Sequence, residues 1–223
     1  MTITIEEWFG AIRSGDVAAI ERMLAAQPSL RDARDANGVS SVTWSCYVRQ
    51  AAVRDRLLAA GPELDVFEAA AAGDEPVARR LLAGDPSLTH HFSPDGFTAL
   101  HLAAFFSQPA IAEALLAAGA DPSVHARNAT HVAPLHSAAA GHALEVVTLL
   151  LDRGADPNAR QTQGFTALMS AAEAGDDAMA EKLLARGADS GLKNAEGKLA
   201  ADFAEAKGHG ALAAKLRSSG VRT

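Results

Sequence analysis

Hydrophobic and polar positions alternate along this chain in two registers that take turns. One register is a short run of small apolar residues, as in Leu102-Ala103-Ala104 and Ser137-Ala138-Ala139. The other places larger apolar residues at helical spacing: Ile111, Ala114, Leu115 and Ala118 share one face, and Val146, Val147, Leu150 and Leu151 share another. Short polar breaks separate the two. The pattern predicts pairs of helices, the first lined with small side chains that permit close approach and the second amphipathic. Asp16, Asp74, Ser107 and Asp176 are expected to cap the second helices, with Pro76 and Pro109 in a first turn where no amide donor is missed. Gly119, Gly154 and Gly187 are expected to end them in the left-handed conformation, and Asp121-Pro122 and Asp156-Pro157 then force an extended exit.

The pairs repeat. Gly96-Phe97-Thr98-Ala99-Leu100-His101-Leu102-Ala103-Ala104 returns 68 residues later as Gly164-Phe165-Thr166-Ala167-Leu168-Met169-Ser170-Ala171-Ala172, with Ala133-Pro134-Leu135-His136-Ser137-Ala138-Ala139 between them. Each copy is followed by Leu-Leu-x-x-Gly-Ala-Asp, and the step from Leu100 to Gly119, Leu135 to Gly154 and Leu168 to Gly187 is 19 residues each time. A period in the low thirties signals a stacked array of helical hairpins, an architecture that presents surface for contact.

Asp-Gly-x-Thr-x-Leu-His-x-Ala-Ala followed by Leu-Leu-x-x-Gly-Ala-Asp-Pro-Asn resembles the ankyrin repeat, most specifically from Pro94 to Gly197. Counting back from Met23-Leu24, Leu57-Leu58 and Leu81-Leu82 extends the register over nearly the whole chain. The reading is an all-α solenoid forming a single domain over 1–223. Its seven units span about 5–37, 38–64, 65–92, 93–126, 127–160, 161–193 and 194–220, the last a C-terminal cap. The resemblance implies a curved stack with projecting loops, and protein binding rather than chemistry. Its idiom is similar to that of small bacterial ankyrin proteins.

Three departures matter. Leu58 to Leu82 is only 24 residues, so about ten are missing at Gly61-Pro62-Glu63-Leu64-Asp65, and the row of projecting loops should have a gap there, with a local bend. Asn128-Ala129-Thr130-His131 carries a small insertion. Lys198-Leu199-Ala200-Ala201-Asp202, with Lys207, Lys215 and Arg217, replaces the usual phrase, as suits the end of a stack that must face water; Glu6, Glu7, Arg13 and Glu21 serve the other end, with Trp8 covering the first layer.

Composition narrows the functions. A formal charge of −7 argues against a nucleic-acid surface, which calls for clustered Lys and Arg. Apolar residues reach 48%, but charges interrupt every run before membrane-spanning length, so no membrane partner is expected. Met1 to Glu7 lacks a basic-then-apolar leader, and the single cysteine suits a reducing compartment, so a cytoplasmic monomer is expected.

Candidate chemistry has structural explanations. His101 and His136 occupy the Leu-His position, where the resemblance implies hydrogen bonds to loop backbone or the threonine hydroxyl. Cys46 falls in register with Ala104 and Ala139, a small buried residue with no recognisable catalytic partner. His90, His91, His125 and His131 could in principle gather a metal, but no Cys or carboxylate at ligand spacing joins them, and exposed loop histidines are expected. No catalytic, cofactor or metal residue is assigned, and no cofactor is expected.

Function is expected on the concave face formed by the inner helices and loop tips. In register, that face carries Arg13 and Ser14, Tyr47 and Val48, Ala71 and Ala72, Phe105 and Phe106, Ala140 and Gly141, and Glu173 and Ala174; the loop tips carry Val39, Phe97, Val132, Phe165 and Lys198. Aromatic residues are only 5% of the chain, so gathering several on one face suggests a use. The residues assigned to an unidentified protein partner are Tyr47, Phe97, Phe105, Phe106, Val132, Phe165 and Glu173. Two alternatives stand beside this: inter-unit packing of the same rings, and a sensor or regulatory subunit holding a small ligand in the small-residue hollows beside Phe106.

Overall fold

A computed structural model describes residues 3–219 of the chain. Met1 and Thr2, at the start of the segment expected to carry no leader, and Gly220 of the last unit lie outside the described residues. Those described form fourteen α-helices: α1 (Ile5–Ser14), α2 (Val17–Ala26), α3 (Ser41–Tyr47), α4 (Ala51–Ala59), α5 (Val66–Ala72), α6 (Glu75–Gly84), α7 (Ala99–Phe105), α8 (Pro109–Ala117), α9 (Pro134–Ala140), α10 (Leu144–Asp152), α11 (Ala167–Ala174), α12 (Asp177–Ala185), α13 (Ala200–Ala206) and α14 (Gly210–Ser219). Each odd-numbered helix packs on the helix that follows it and on the next odd-numbered helix, so the inner helices run as one row from α1 to α13. Extended pairing among the described residues is limited to one isolated bridge, between Arg34 and Ser40.

Alanine builds the inner row. Ala69, Ala70, Ala103, Ala104, Ala138, Ala139, Ala171, Ala172 and Ala204 are all fully or almost fully buried. Without large side chains between them the helices approach closely, and Gly141 marks the tightest step: a Cβ there would stand 2.1 Å from the Phe105 carbonyl oxygen. The second helices supply the bulk, with Ile20, Val53, Leu57, Ile111, Leu115, Leu150 and Leu183 sealed from solvent. Trp8 closes the first layer as expected, its indole N–H donating to Ser41 Oγ at 2.8 Å.

Helix ends follow local chemistry. Asp16, Asp74 and Asp176 accept the amide hydrogens of Ala19, Val77 and Met179. Ser107 does not cap α8. It takes a positive φ of 55°, and Gln108 stands at the N-cap without a side-chain hydrogen bond. The preceding turn there requires a left-handed residue one place before the cap, and Arg49 and His142 do the same before α4 and α10. Gly119, Gly154 and Gly187 end their helices with φ of +99°, +87° and +92°, a region any Cβ would disfavour.

The chain passes from α4 to α5 in six residues, with no projecting loop. The core divides at the same place, one cluster running from Trp8 to Leu64 and the other from Val66 to Leu216. The row of loops nevertheless stays closed on the inner side. A Cβ on Gly38 would touch Pro94 at 3.1 Å, and the Tyr47 hydroxyl donates to Asp95 at 2.6 Å across 48 residues of sequence. The expected gap is thus bridged by the loops on either side of the missing one.

At the far end Asp202 accepts the Leu199 amide hydrogen, and Lys207 meets Glu173. Ion pairs step along the second helices: Glu21 with Arg56, Glu113 with Arg153, Asp152 with Arg186, and Glu181 with Lys215. All are solvent-exposed, so each contributes at most about 1 kcal/mol and mainly fixes registration between units. No helix of the described residues is long and apolar enough to cross a membrane.

Candidate functional site at the inner helices and loop tips

The loop tips are locked to one another. Ser93 accepts the Phe97 amide hydrogen and donates to Asp95, forming a turn that sets Phe97 at its end. Arg127 donates its amide hydrogen to the Gly96 carbonyl, and the Asn128 side chain donates to the Asp95 carbonyl. Thr162 in turn donates to Thr130 through its amide and to Ala129 through its hydroxyl.

Two buried histidines join these loops to the inner helices. His101 Nε2 lies 3.0 Å from the Val132 carbonyl oxygen and His136 Nε2 lies 3.1 Å from that of Phe165. Their Nδ1 atoms accept the amide hydrogens of Thr98 and Ala133, so each ring is a neutral tautomer protonated on Nε2. Burial holds both below the usual histidine range, His101 at about 4. This is the structural role the resemblance implied. Glu68 fills the same slot in the third unit, accepting the Asp65 amide hydrogen and an Arg34 guanidinium hydrogen, and burial raises its pKa. The sequence reading passed over Glu68, although its place three residues after the Asp65 cap was the available signal.

Beside the histidines an apolar cavity of about 240 Å³ opens to solvent. Tyr47, Phe97, Phe105 and Val132 border it, the buried His101 and His136 form its floor, and Ser137, Gln161 and Ser170 are also in its lining. Four of the seven residues assigned to a partner therefore meet around one hollow. The other three are placed differently. Phe106 is half-buried and packs against the core without lining the hollow, its ring 5.6 Å from Tyr47 and edge-on to Phe105 at 5.1 Å. Phe165 packs edge-on against Phe203 of the last unit at 4.9 Å. Glu173 is exposed beside Lys207 at 3.3 Å and borders a separate shallow trough. The hollow thus lies beside Phe105, not Phe106. Val39 and Ala71, assigned by register to the exposed face, are buried, because the bridged loops and the tight α5–α7 contact cover them.

The remaining reactive groups are quiet. Cys46 is buried, and desolvation pushes its thiol up to about 11, well away from a nucleophilic thiolate. Burial and the Asp95 carboxylate raise the Tyr47 phenol strongly. His125 and His131 stack face to face at 4.4 Å, with His131 exposed and His125 half-buried. Among the described residues no cluster of three or more His, Cys, Asp or Glu is arranged to hold a metal.

A row of helical hairpins held by histidines at the loop roots defines a helical-repeat solenoid. The chain belongs to the ankyrin-repeat family: a model for ankyrin repeats (3 copies) matches residues 66–161 and one for ankyrin repeats (many copies) matches 150–204. It is 35% identical to the neurogenic locus Notch protein of Drosophila melanogaster over 167 residues, 74% of this chain and 6% of that protein. It is 42% identical to neurogenic locus notch homolog protein 4 of Homo sapiens over 103 residues (46% and 5%), and 36% identical to the E3 ubiquitin-protein ligase KEG of Arabidopsis thaliana over 94 residues (42% and 6%). The chain therefore spans only 5–6% of the length of these relatives. Ankyrin repeats generally mediate protein–protein contact, and their families are typically non-catalytic.

Proposed function

We propose that this chain is a non-catalytic, monomeric interaction module of the cytoplasm, forming one domain of seven units that binds a partner protein through its inner helices and loop tips. The observation that carries this is the hollow bordered by Tyr47, Phe97, Phe105 and Val132. Aromatic side chains beside the small Ala140 offer the kind of pocket in which binding energy concentrates. Phe165 and Glu173 flank this area and would contribute at its margin, while Phe106 would support Phe105 from behind. A reduced, buried Cys46 suits the compartment.

The test separates contact from packing. Phe105→Ala is expected to abolish partner capture while moving the melting temperature by only a few degrees. Phe106→Ala is expected to cost about 2 kcal/mol of stability instead, since its ring is half-buried against the core and does not line the hollow. Full partner capture by a folded Phe105→Ala protein would refute the reading. The same hollow also favours a second reading, a sensor that holds a small ligand; a ring-sized molecule retained through purification and released by Phe105→Ala would support it.

A further inference from the structure

The hollow beside Phe105 has a definite capacity and chemistry. Its volume of about 240 Å³ exceeds the roughly 150 Å³ apolar cavity that accepts a benzene ring, and falls below the roughly 300 Å³ at which pockets for drug-sized ligands begin. One large side chain fits. The floor selects against charge: both ring nitrogens of His101 and of His136 are engaged within the chain, and burial keeps the rings neutral. An acidic group entering there would find no cation and no free donor from the floor.

The rest of the polar lining is different. Tyr47, Thr130 and the two histidines spend their side-chain hydrogen bonds within the chain, whereas among the described residues Ser137, Gln161 and Ser170 make no side-chain hydrogen bond. Ala140 and Ser170 also border the neighbouring trough of about 290 Å³, which continues to Glu173 and Lys207. The two spaces therefore adjoin at these residues. A free ring-sized molecule would fill the first and leave the second unused.

We propose that the hollow and the adjoining trough together hold an extended, net-basic segment of a partner protein, anchored by one large apolar side chain in the hollow beside Phe105. The proposal rests on the protein-binding reading above and specifies its ligand. Ser137, Gln161 and Ser170 hydrogen-bond the backbone beside the anchor. Ser170 and Glu173 are one helical turn apart, about 4.5 Å along α11, and an extended chain advances about 3.3 Å per residue. A Lys or Arg one to three residues from the anchor therefore reaches the Glu173 carboxylate, where it takes the place of the exposed Lys207 ammonium that stands 3.3 Å away. The charge of −7 on the chain favours approach of a basic segment and disfavours an acidic one.

The experiment is selection of a displayed library of random twelve-residue peptides on the full chain at low salt, followed by fluorescence anisotropy with the enriched peptides. Expected sequences share one Phe, Trp, Leu or Met with a Lys or Arg one to three residues away. Phe105→Ala weakens them at least about tenfold. Ala140→Leu, an exposed position where added bulk blocks the groove and leaves the core untouched, does the same. Glu173→Gln weakens them about threefold and flattens the salt dependence. Four outcomes overturn the proposal: no enrichment, peptides lacking a shared apolar residue, binding indifferent to both groove variants, or saturation of the hollow by indole that no peptide displaces. A natural partner that needs Phe105 but presents an acidic or wholly polar segment would remove this inference while leaving the protein-binding reading intact.

Discussion

At the scale of single residues, close approach and burial set the consequences. Gly141 has an ordinary φ, so its requirement is spatial: Gly141→Ala drives a methyl group into the Phe105 carbonyl and should cost about 1–3 kcal/mol, read as a lower urea midpoint with an unchanged slope. The buried histidines make stability depend on pH. The folded pKa of His101, about 4, lies below the roughly 6.5 of an unfolded histidine, so the unfolded chain takes up the proton first. Stability is then full above about pH 6.5 and falls as pH drops toward 4, by at most about 3 kcal/mol from this ring. Urea midpoints at pH 7.0, 5.5 and 4.5 should show the fall, and His101→Gln should make it shallower despite its lower stability at pH 7. A fall of equal steepness in the variant would contradict the account. The resemblance implied a hydrogen-bonding role for the Leu-His phrase, and the structure sets the His101 and His136 rings against the Val132 and Phe165 carbonyls.

At the scale of elements, caps and loops separate what neighbours dictate from what the fold dictates. Asp176 receives a real amide hydrogen bond and Ser107 does not, so Asp176→Ala should lower stability by about 1 kcal/mol while Ser107→Ala stays within about 0.5 kcal/mol. Both are small polar residues just before a helix, and sequence treats them alike. The turn conformation tells them apart. The missing loop between α4 and α5 was legible from spacing alone, since 24 residues cannot hold what 34 hold elsewhere. Its closure by Gly38, Pro94, Tyr47 and Asp95 was not, because contacts across 48 residues depend on how three units stack.

At the scale of the molecule, the split core predicts stepwise opening. Stability in a stacked array is a sum of unit and interface contributions, and the weakest interface parts first. With one apolar cluster ending at Leu64 and the other beginning at Val66, native-state hydrogen exchange in low urea should expose α1 to α4 as one unit before α5 to α14. A single uniform opening energy across all helices would contradict this. The bridging Tyr47–Asp95 hydrogen bond crosses that boundary, and Tyr47→Phe should widen the difference between the two blocks.

The amino-acid sequence alone determined the repeat, the helix pairing, the glycine stops and the inert thiol, since each follows from periodicity or from a residue's local chemistry, while the role of the two histidines was what the resemblance implied. It also brought Tyr47, Phe97, Phe105 and Val132 onto one list by register. Only the tertiary structure divided that list, packing Phe106 outside the hollow against Tyr47 and Phe105, setting Phe165 against Phe203 and gathering the other rings around a single hollow. Register fixes the side of a helix on which a side chain stands. Which neighbour covers it depends on the stacking of whole units.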